Sequence, residues 1–199
     1  AVGNLYFTLL LRPELEPGKA SMLTLIMALA VAKGLRVLTA GDALIKWPND
    51  IVLGGKKVAG ILTEMTMEAD FIQHIVIGVG INVAKQEFPS ALVHTATALE
   101  TELQDRVPRA LLLETILGFF EQEYDIFLKD GNLSGLQEEY EKFLVNRGRE
   151  VRVLDPKGEF TGVARGINEQ GELLVELPTG ELQPIYAGEV SVRGIYGYV

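Results

Sequence analysis

The chain has 199 residues, 48% of them hydrophobic, which suffices for one full core and a small second domain. Its formal net charge of −9 argues against a nucleic-acid surface on this chain, since such surfaces usually show a basic patch. With no cysteine there is no disulfide, thiolate metal site or cysteine nucleophile, and two histidines, His74 and His94, fall short of the roughly three protein ligands that a zinc site needs.

The first residue is Ala1, and residues 5–11 already read as a strand, so the sequence is expected to begin inside a domain. Residues 19–33 read as a helix that is apolar nearly all round and packed on both sides, with Gly34 stopping it. Its apolar run, 22–32, is too short to span a bilayer, which takes ~20 residues, and it follows a polar segment, unlike a signal peptide. Strands are predicted over 43–47, 51–53, 56–65 and 71–83, then a loop and a short helix over 95–103. Residues 108–128 have amphipathic spacing, with Leu112, Ile116, Phe119, Phe120, Tyr124 and Phe127 on one side. A further helix covers 135–145. From Glu150 onward short strands alternate with turn signals such as Asp155-Pro156-Lys157-Gly158, Asn168-Glu169-Gln170-Gly171 and Ala187-Gly188, the spacing of a small barrel or sandwich. Arg147-Gly148-Arg149 marks the boundary, giving domains 1–148 and 149–199.

Two segments carry chemistry. In the first, apolar runs flank Gly54-Gly55, the signal of a two-residue hairpin loop. That loop predicts Leu53 opposite Lys56, Val52 opposite Lys57 and Asp50 opposite Ala59. Asp50 and Lys57 then share a face as diagonal neighbours, ~7–8 Å apart at Cβ. They read either as a carboxylate and an ammonium facing a ligand together or as solvated charges at an exposed tip. Spacing favours the second, because hairpin lysines commonly solubilise a sheet edge. In the second segment Ile75, Ile77, Val79, Ile81 and Val83 alternate with Gly78, Gly80 and Asn82. Two glycines on one face leave either a groove for a flat ligand, with Asn82 offering a donor and an acceptor at its end, or a place for another backbone to pack. No phosphate-binding loop, dinucleotide fingerprint or nucleophile elbow is present.

These segments resemble the signature of biotin protein ligases. Lys46-Trp47-Pro48-Asn49-Asp50, followed by Lys57-Val58-Ala59-Gly60-Ile61-Leu62-Thr63-Glu64, is similar to the family's central motif, and Ile77-Gly78-Val79-Gly80-Ile81-Asn82 to the next one. Asn4-Leu5-Tyr6 matches the strand after the family's biotin-binding loop, and Gly188-Glu189-Val190-Ser191-Val192-Arg193 the end of its C-terminal domain. The resemblance implies an α+β fold: a mixed-sheet catalytic domain related to class II aminoacyl-tRNA synthetases, then an SH3-like barrel. It implies a cytoplasmic enzyme that activates biotin with Mg²⁺ and ATP to biotinyl-5′-AMP and transfers it to a lysine of a biotin carboxyl carrier protein. It implies a homodimer and no membrane partner.

By the same resemblance, Lys57 contacts the biotin carboxylate and the phosphate, and Asp50 orients Lys57 or assists the incoming amine. Asn49 and Asn82 lie near the nucleotide, Asn82 reading adenine. Gly60, Ile61, Gly78 and Gly80 supply substrate contacts, and Lys46 and Trp47 are structural. Glu189 and Arg193 assist ATP or carrier binding from the C-terminal domain. The family's GRGRRG-type loop precedes the strand at which this sequence starts, so residues 1–199 alone are expected to biotinylate a carrier poorly. The rivals are a lipoate–protein ligase and a non-catalytic biotinyl-AMP-binding fragment.

Overall fold

The computed structural model describes residues 3–154, 158–187 and 191–194. Alternation places β1 (Leu5–Leu11), β2 (Leu44–Lys46), β3 (Asp50–Leu53), β4 (Lys56–Glu68) and β5 (Phe71–Ile81) in one five-stranded sheet of order β1-β5-β4-β3-β2. Every ladder in it is antiparallel. The expected mixed sheet is therefore corrected for the described residues, where parallel pairing is confined to two isolated bridges, Ile45 with Leu144 and Lys57 with Ala96. Strands joined by tight hairpins have no other option.

The apolar face of β5, with Ile75, Ile77, Val79 and Ile81 buried, shares one core with α1 (Met22–Thr39) and α3 (Arg109–Asp130). Gly34 does not end α1. The helix runs on to Ala40, which takes the left-handed conformation and donates its N–H to Arg36. Gly34 instead lets α3 approach, since a Cβ there would lie 2.8 Å from Cγ1 of Ile116. The longer helix has the length and hydropathy of a membrane span, but 67% of that stretch is buried inside the core. The predicted short helix shrinks to α2 (Leu99–Glu102), and α4 (Gln137–Phe143) follows α3.

The second sheet, of order β10-β6-β7-β8-β9, is also antiparallel: β6 (Glu150–Leu154), β7 (Phe160–Ile167), β8 (Leu173–Glu176), β9 (Leu182–Ile185) and β10 (Ser191–Gly194). The predicted turn at Asn168 forms, its Oδ1 accepting from the N–H of Gln170 at 3.1 Å and of Glu172 at 3.0 Å. Turn residues Asp155, Pro156, Lys157 and Gly188 lie outside the described residues, as does Glu189. The two sheets meet at the loop after β2. The Trp47 indole N–H donates to the Gly171 carbonyl at 3.0 Å, and its backbone N–H to Asn146 Oδ1 at 2.9 Å.

The apolar side of α3 hides a carboxylate that periodicity did not reveal. Glu123 is 2% exposed and pairs with Lys33 of α1 at 3.1 Å, while Lys33 also meets Glu139 of α4 at 3.0 Å. Burial pushes the Glu123 carboxyl up to about 7 against the pull of the Lys33 ammonium. In the unfolded chain a glutamate titrates near ~4.3. The folded state therefore takes up the extra proton between those values, and stability falls as pH rises through that window and then levels off. Glu123→Gln is expected to abolish this slope and to raise the melting temperature most above neutrality. Thermal melts at about pH 5 and about pH 8 check it. Parallel slopes for both proteins would place the linkage elsewhere.

Candidate active site

The Gly54-Gly55 loop forms with φ of +59° and +77°, the backbone of the tight hairpin turn that glycine favours. Leu53 faces Lys56 and Val52 faces Lys57, as the sequence predicts. The ladder then slips: Ile51 faces Ala59, and Asp50 faces Gly60 rather than Ala59. Val58 is the extra residue of this bulge. Its neighbour Lys57 makes the isolated parallel bridge to Ala96, its N–H donating to the Thr95 carbonyl at 2.8 Å and its carbonyl accepting from the Thr97 N–H at 2.9 Å. A bulge of this kind re-aims the flanking side chain.

The re-aimed Lys57 side chain arches over Gly60 and pairs with Oδ1 of Asp50. A Cβ on Gly60 would lie 3.0 Å from Lys57 Cε, 3.1 Å from its Nζ and 3.6 Å from Asp50 Oδ1. The missing side chain of Gly60 is thus the space in which the pair meets. The Asp50 side chain is 13% exposed and that of Lys57 40%, so the pair is not a solvated hairpin tip. The reading favoured by spacing is overturned because β2 and β5 flank this hairpin on both sides.

Two clefts share this pair's edge. One, of about 670 Å³, is lined by Asn49, Lys57, Gly60, Ile61, Gly78 and Gly80 among others. The other, of about 440 Å³, takes in Lys57, Gly60, Gly80, Asn82, Phe88 and Leu92. Tyr6 of β1 borders both. The two strand glycines differ. A Cβ on Gly78 would meet nothing closer than the Leu62 carbonyl at 3.7 Å, whereas one on Gly80 would meet the Tyr6 ring at 3.2 and 3.3 Å. Asn49 donates its amide to the Ile61 carbonyl at 3.0 Å, and Asn82 donates to that of Thr97 at 3.2 Å. Among the described residues no group of three or more histidine, aspartate and glutamate side chains is placed to hold a metal ion.

Comparison with known proteins identifies the scaffold. Residues 1–82 match the biotin/lipoate A/B protein ligase family, and residues 148–193 match the biotin protein ligase C terminal domain. The biotin–[acetyl-CoA-carboxylase] ligase of Paracoccus denitrificans is 30% identical over 197 residues, covering 96% of this chain and 81% of that protein. The chain belongs to the biotin protein ligase family. The bifunctional ligase/repressor BirA of Bacillus spizizenii is 36% identical over 193 residues; the chain spans 59% of that relative's length. Among solved structures, the apo biotin protein ligase from Aquifex aeolicus aligns with a TM-score of 0.83 at 29% identity, covering 96% of this chain and 83% of that one. The Aquifex aeolicus ligase in complex with biotin and ATP aligns with a TM-score of 0.82 at 30% identity, covering 96% and 79%.

In this member of the biotin protein ligase family, Asp50, Lys57, Asn49, Gly60, Ile61, Gly78, Gly80 and Asn82 come together around the two clefts. Arg193 of β10 lines neither, but its charge reaches Lys46 beside Asp50. Sequence reasoning missed Tyr6, which enters the site through a partner distant in the chain: it is the β1 residue opposite Gly80. It also missed Phe88 and Leu92, which lie in a segment without periodicity.

Proposed function

We propose that the protein is an ATP-dependent biotin protein ligase that converts biotin to biotinyl-5′-AMP and transfers it to a lysine of a biotin carboxyl carrier protein. The observation that carries this reading is the Asp50–Lys57 pair set over Gly60 at the junction of two clefts. One cleft suits biotin, the other adenosine, and Lys57 lies where carboxylate and α-phosphate would meet. Fixed positive charge there stabilises the negative charge that gathers as the carboxylate oxygen attacks phosphorus and pyrophosphate departs. In the second step the carrier amine attacks the anhydride carbonyl, AMP leaves with the bonding electron pair, and Asp50 accepts the amine's proton or steers Lys57. Asn82 would read adenine, and Asn49 and the glycines would give the nucleotide and biotin a close backbone. Arg193 would act on ATP or the carrier from β10.

Magnesium fits as an ion carried on the triphosphate, since it keeps several waters and needs only one or two carboxylates beside substrate phosphates. Neither cleft is lined by a carboxylate, so the triphosphate and water would hold it. It would supply neutralisation of the triphosphate charge. The proposal extends to a catalytic unit of residues 1–148 related to class II aminoacyl-tRNA synthetases and an SH3-like unit of 149–199. The C-terminal match at 148–193 supports that division and favours biotin over lipoate. A cytoplasmic location and self-association through the catalytic sheet complete the reading.

The test is incubation of the full-length protein with biotin, ATP, magnesium and a carrier domain, read by mass spectrometry of the carrier. Biotin on a single lysine is expected. Modification by lipoate instead would establish the sister activity, and no modification a non-catalytic protein. Gly80→Val probes the clefts directly. The added side chain must displace the Tyr6 ring, and calorimetry should show lost biotin or ATP binding with little change in melting temperature. Retained affinity for both would mean that Gly80 accommodates Tyr6 and nothing else.

A further inference from the structure

Asn82 reaches the smaller cleft with part of its hydrogen-bonding capacity already committed. Its backbone is held on both sides, the N–H donating to the Val58 carbonyl and the carbonyl accepting from the Leu99 N–H, each at 2.9 Å. Its side-chain Nδ2 donates to the Thr97 carbonyl at 3.2 Å. A carbonyl can only accept, so this bond fixes which end of the amide turns to Thr97. What remains for the cleft is Oδ1 and the second N–H. Thr97 is itself clamped. It is 3% exposed, its N–H donates to the Lys57 carbonyl at 2.9 Å, and its hydroxyl donates to Glu102 Oε1 at 2.5 Å, the length of a charge-assisted bond. The other Glu102 oxygen lies against the β3–β4 turn, 3.2 Å from where a Cβ on Gly54 would stand. Thr97 and Glu102 line neither cleft, so both act on a ligand only through other residues.

We propose that Thr97, locked by Glu102, is a positioning residue that sets the choice of nucleobase by holding the Asn82 amide in one orientation. The inference rests on the ligase reading, in which Asn82 meets the base of ATP. An Oδ1 acceptor beside an N–H donor matches the 6-amino group of adenine and a ring nitrogen near it. A 6-oxo purine places an acceptor where adenine has its donor, and Oδ1 repels it. An unrestrained asparagine would answer by turning its amide over. Here that turn sets Oδ1 against the Thr97 carbonyl, acceptor against acceptor, and leaves that carbonyl without its donor. The carbonyl stays in place to enforce this because Thr97 is bonded to Lys57 by its backbone and to Glu102 by its hydroxyl.

ATP and inosine triphosphate differ only at the purine 6-position and the ring nitrogen beside it, so the pair reads this orientation directly. The full-length protein is expected to favour ATP by about 10² or more, both in kcat/KM for biotinyl-AMP formation and in calorimetric affinity, since a site built to bond a donor rejects an analogue that lacks it. Thr97→Val and Glu102→Ala each remove the clamp. Each is expected to raise KM for ATP about fivefold, to keep kcat within about twofold, and to cut the preference for ATP about tenfold. Thr97→Ser keeps a hydroxyl and Glu102→Gln keeps an acceptor, so both should retain the preference. The double variant should lose no more than either single one, because both act through one hydrogen bond. Glu102 is exposed, so Glu102→Ala carries the test if Thr97→Val does not fold. A merely structural role would lower kcat or the melting temperature and leave the ratio of the two nucleotides as it was. That unchanged ratio in Glu102→Ala, equal use of inosine triphosphate by the wild-type protein, or multiplied losses in the double variant would overturn the proposal. Preferential binding of ATP without any adenylate formed would instead overturn the ligase reading and leave the account of the base standing.

Discussion

Lys57→Ala is expected to slow biotinyl-AMP formation by about 10²–10³, the usual cost of removing one donor that meets charge developing in a transition state. The fold should survive the change. The Lys57 side chain is 40% exposed, and what secures this strand is its backbone, bonded to Thr95 and Thr97. Ground-state binding should fall less than the rate, because the ammonium acts most on charge that appears only as the carboxylate attacks phosphorus. Rapid-quench assay of the adenylate beside a thermal melt separates the possibilities. A wild-type rate would remove Lys57 from the chemistry, and a lost unfolding transition would make it a structural residue.

Gly60→Val should exchange activity for stability. Gly60 lies within β4 and is not in a left-handed conformation, so a β-branched residue suits its backbone and removes the entropic cost of glycine in a strand. Its melting temperature should hold or rise. Its activity should fall by about 10², since the new side chain fills the space where Lys57 Nζ and Asp50 meet, with Cβ alone 3.1 Å from that nitrogen. Gly60→Ala should fall between, because the end of a lysine can shift by a few tenths of an ångström. A fully active Gly60→Val would mean that the ion pair is incidental.

Much of this was legible in residue order. Alternation located β1 and the β3–β4–β5 meander, Gly54-Gly55 located its turn, and Gly78, Gly80 and Asn82 marked the face that lines the clefts. What was not legible depends on partners distant in the chain. The bulge at Val58 accompanies the isolated bridge from Lys57 to residues 95–97, which no local pattern announces. Gly34 has the sequence of a helix stop, but its neighbour Ile116 on α3 makes it a packing residue within the helix. Glu123 looks like a surface charge until α1 and α4 close over it. The tie from Trp47 to Gly171, which sets the second sheet against the active-site loop, spans 124 residues.

The most direct test follows the biotin oxygen. If the carboxylate attacks the α-phosphate of ATP at this site, biotin labelled with ¹⁸O in both carboxylate positions should deliver one label to AMP once the carrier lysine has been acylated, and keep the other in the new amide. The full-length protein, biotin, MgATP and carrier domain are sufficient, with AMP analysed by mass spectrometry. AMP carrying a single ¹⁸O, formed only when biotin is present, is the predicted result. Unlabelled AMP accompanying a biotinylated carrier would show that the carboxylate never bonded to phosphorus, and would contradict the account of how Lys57 and its clefts act.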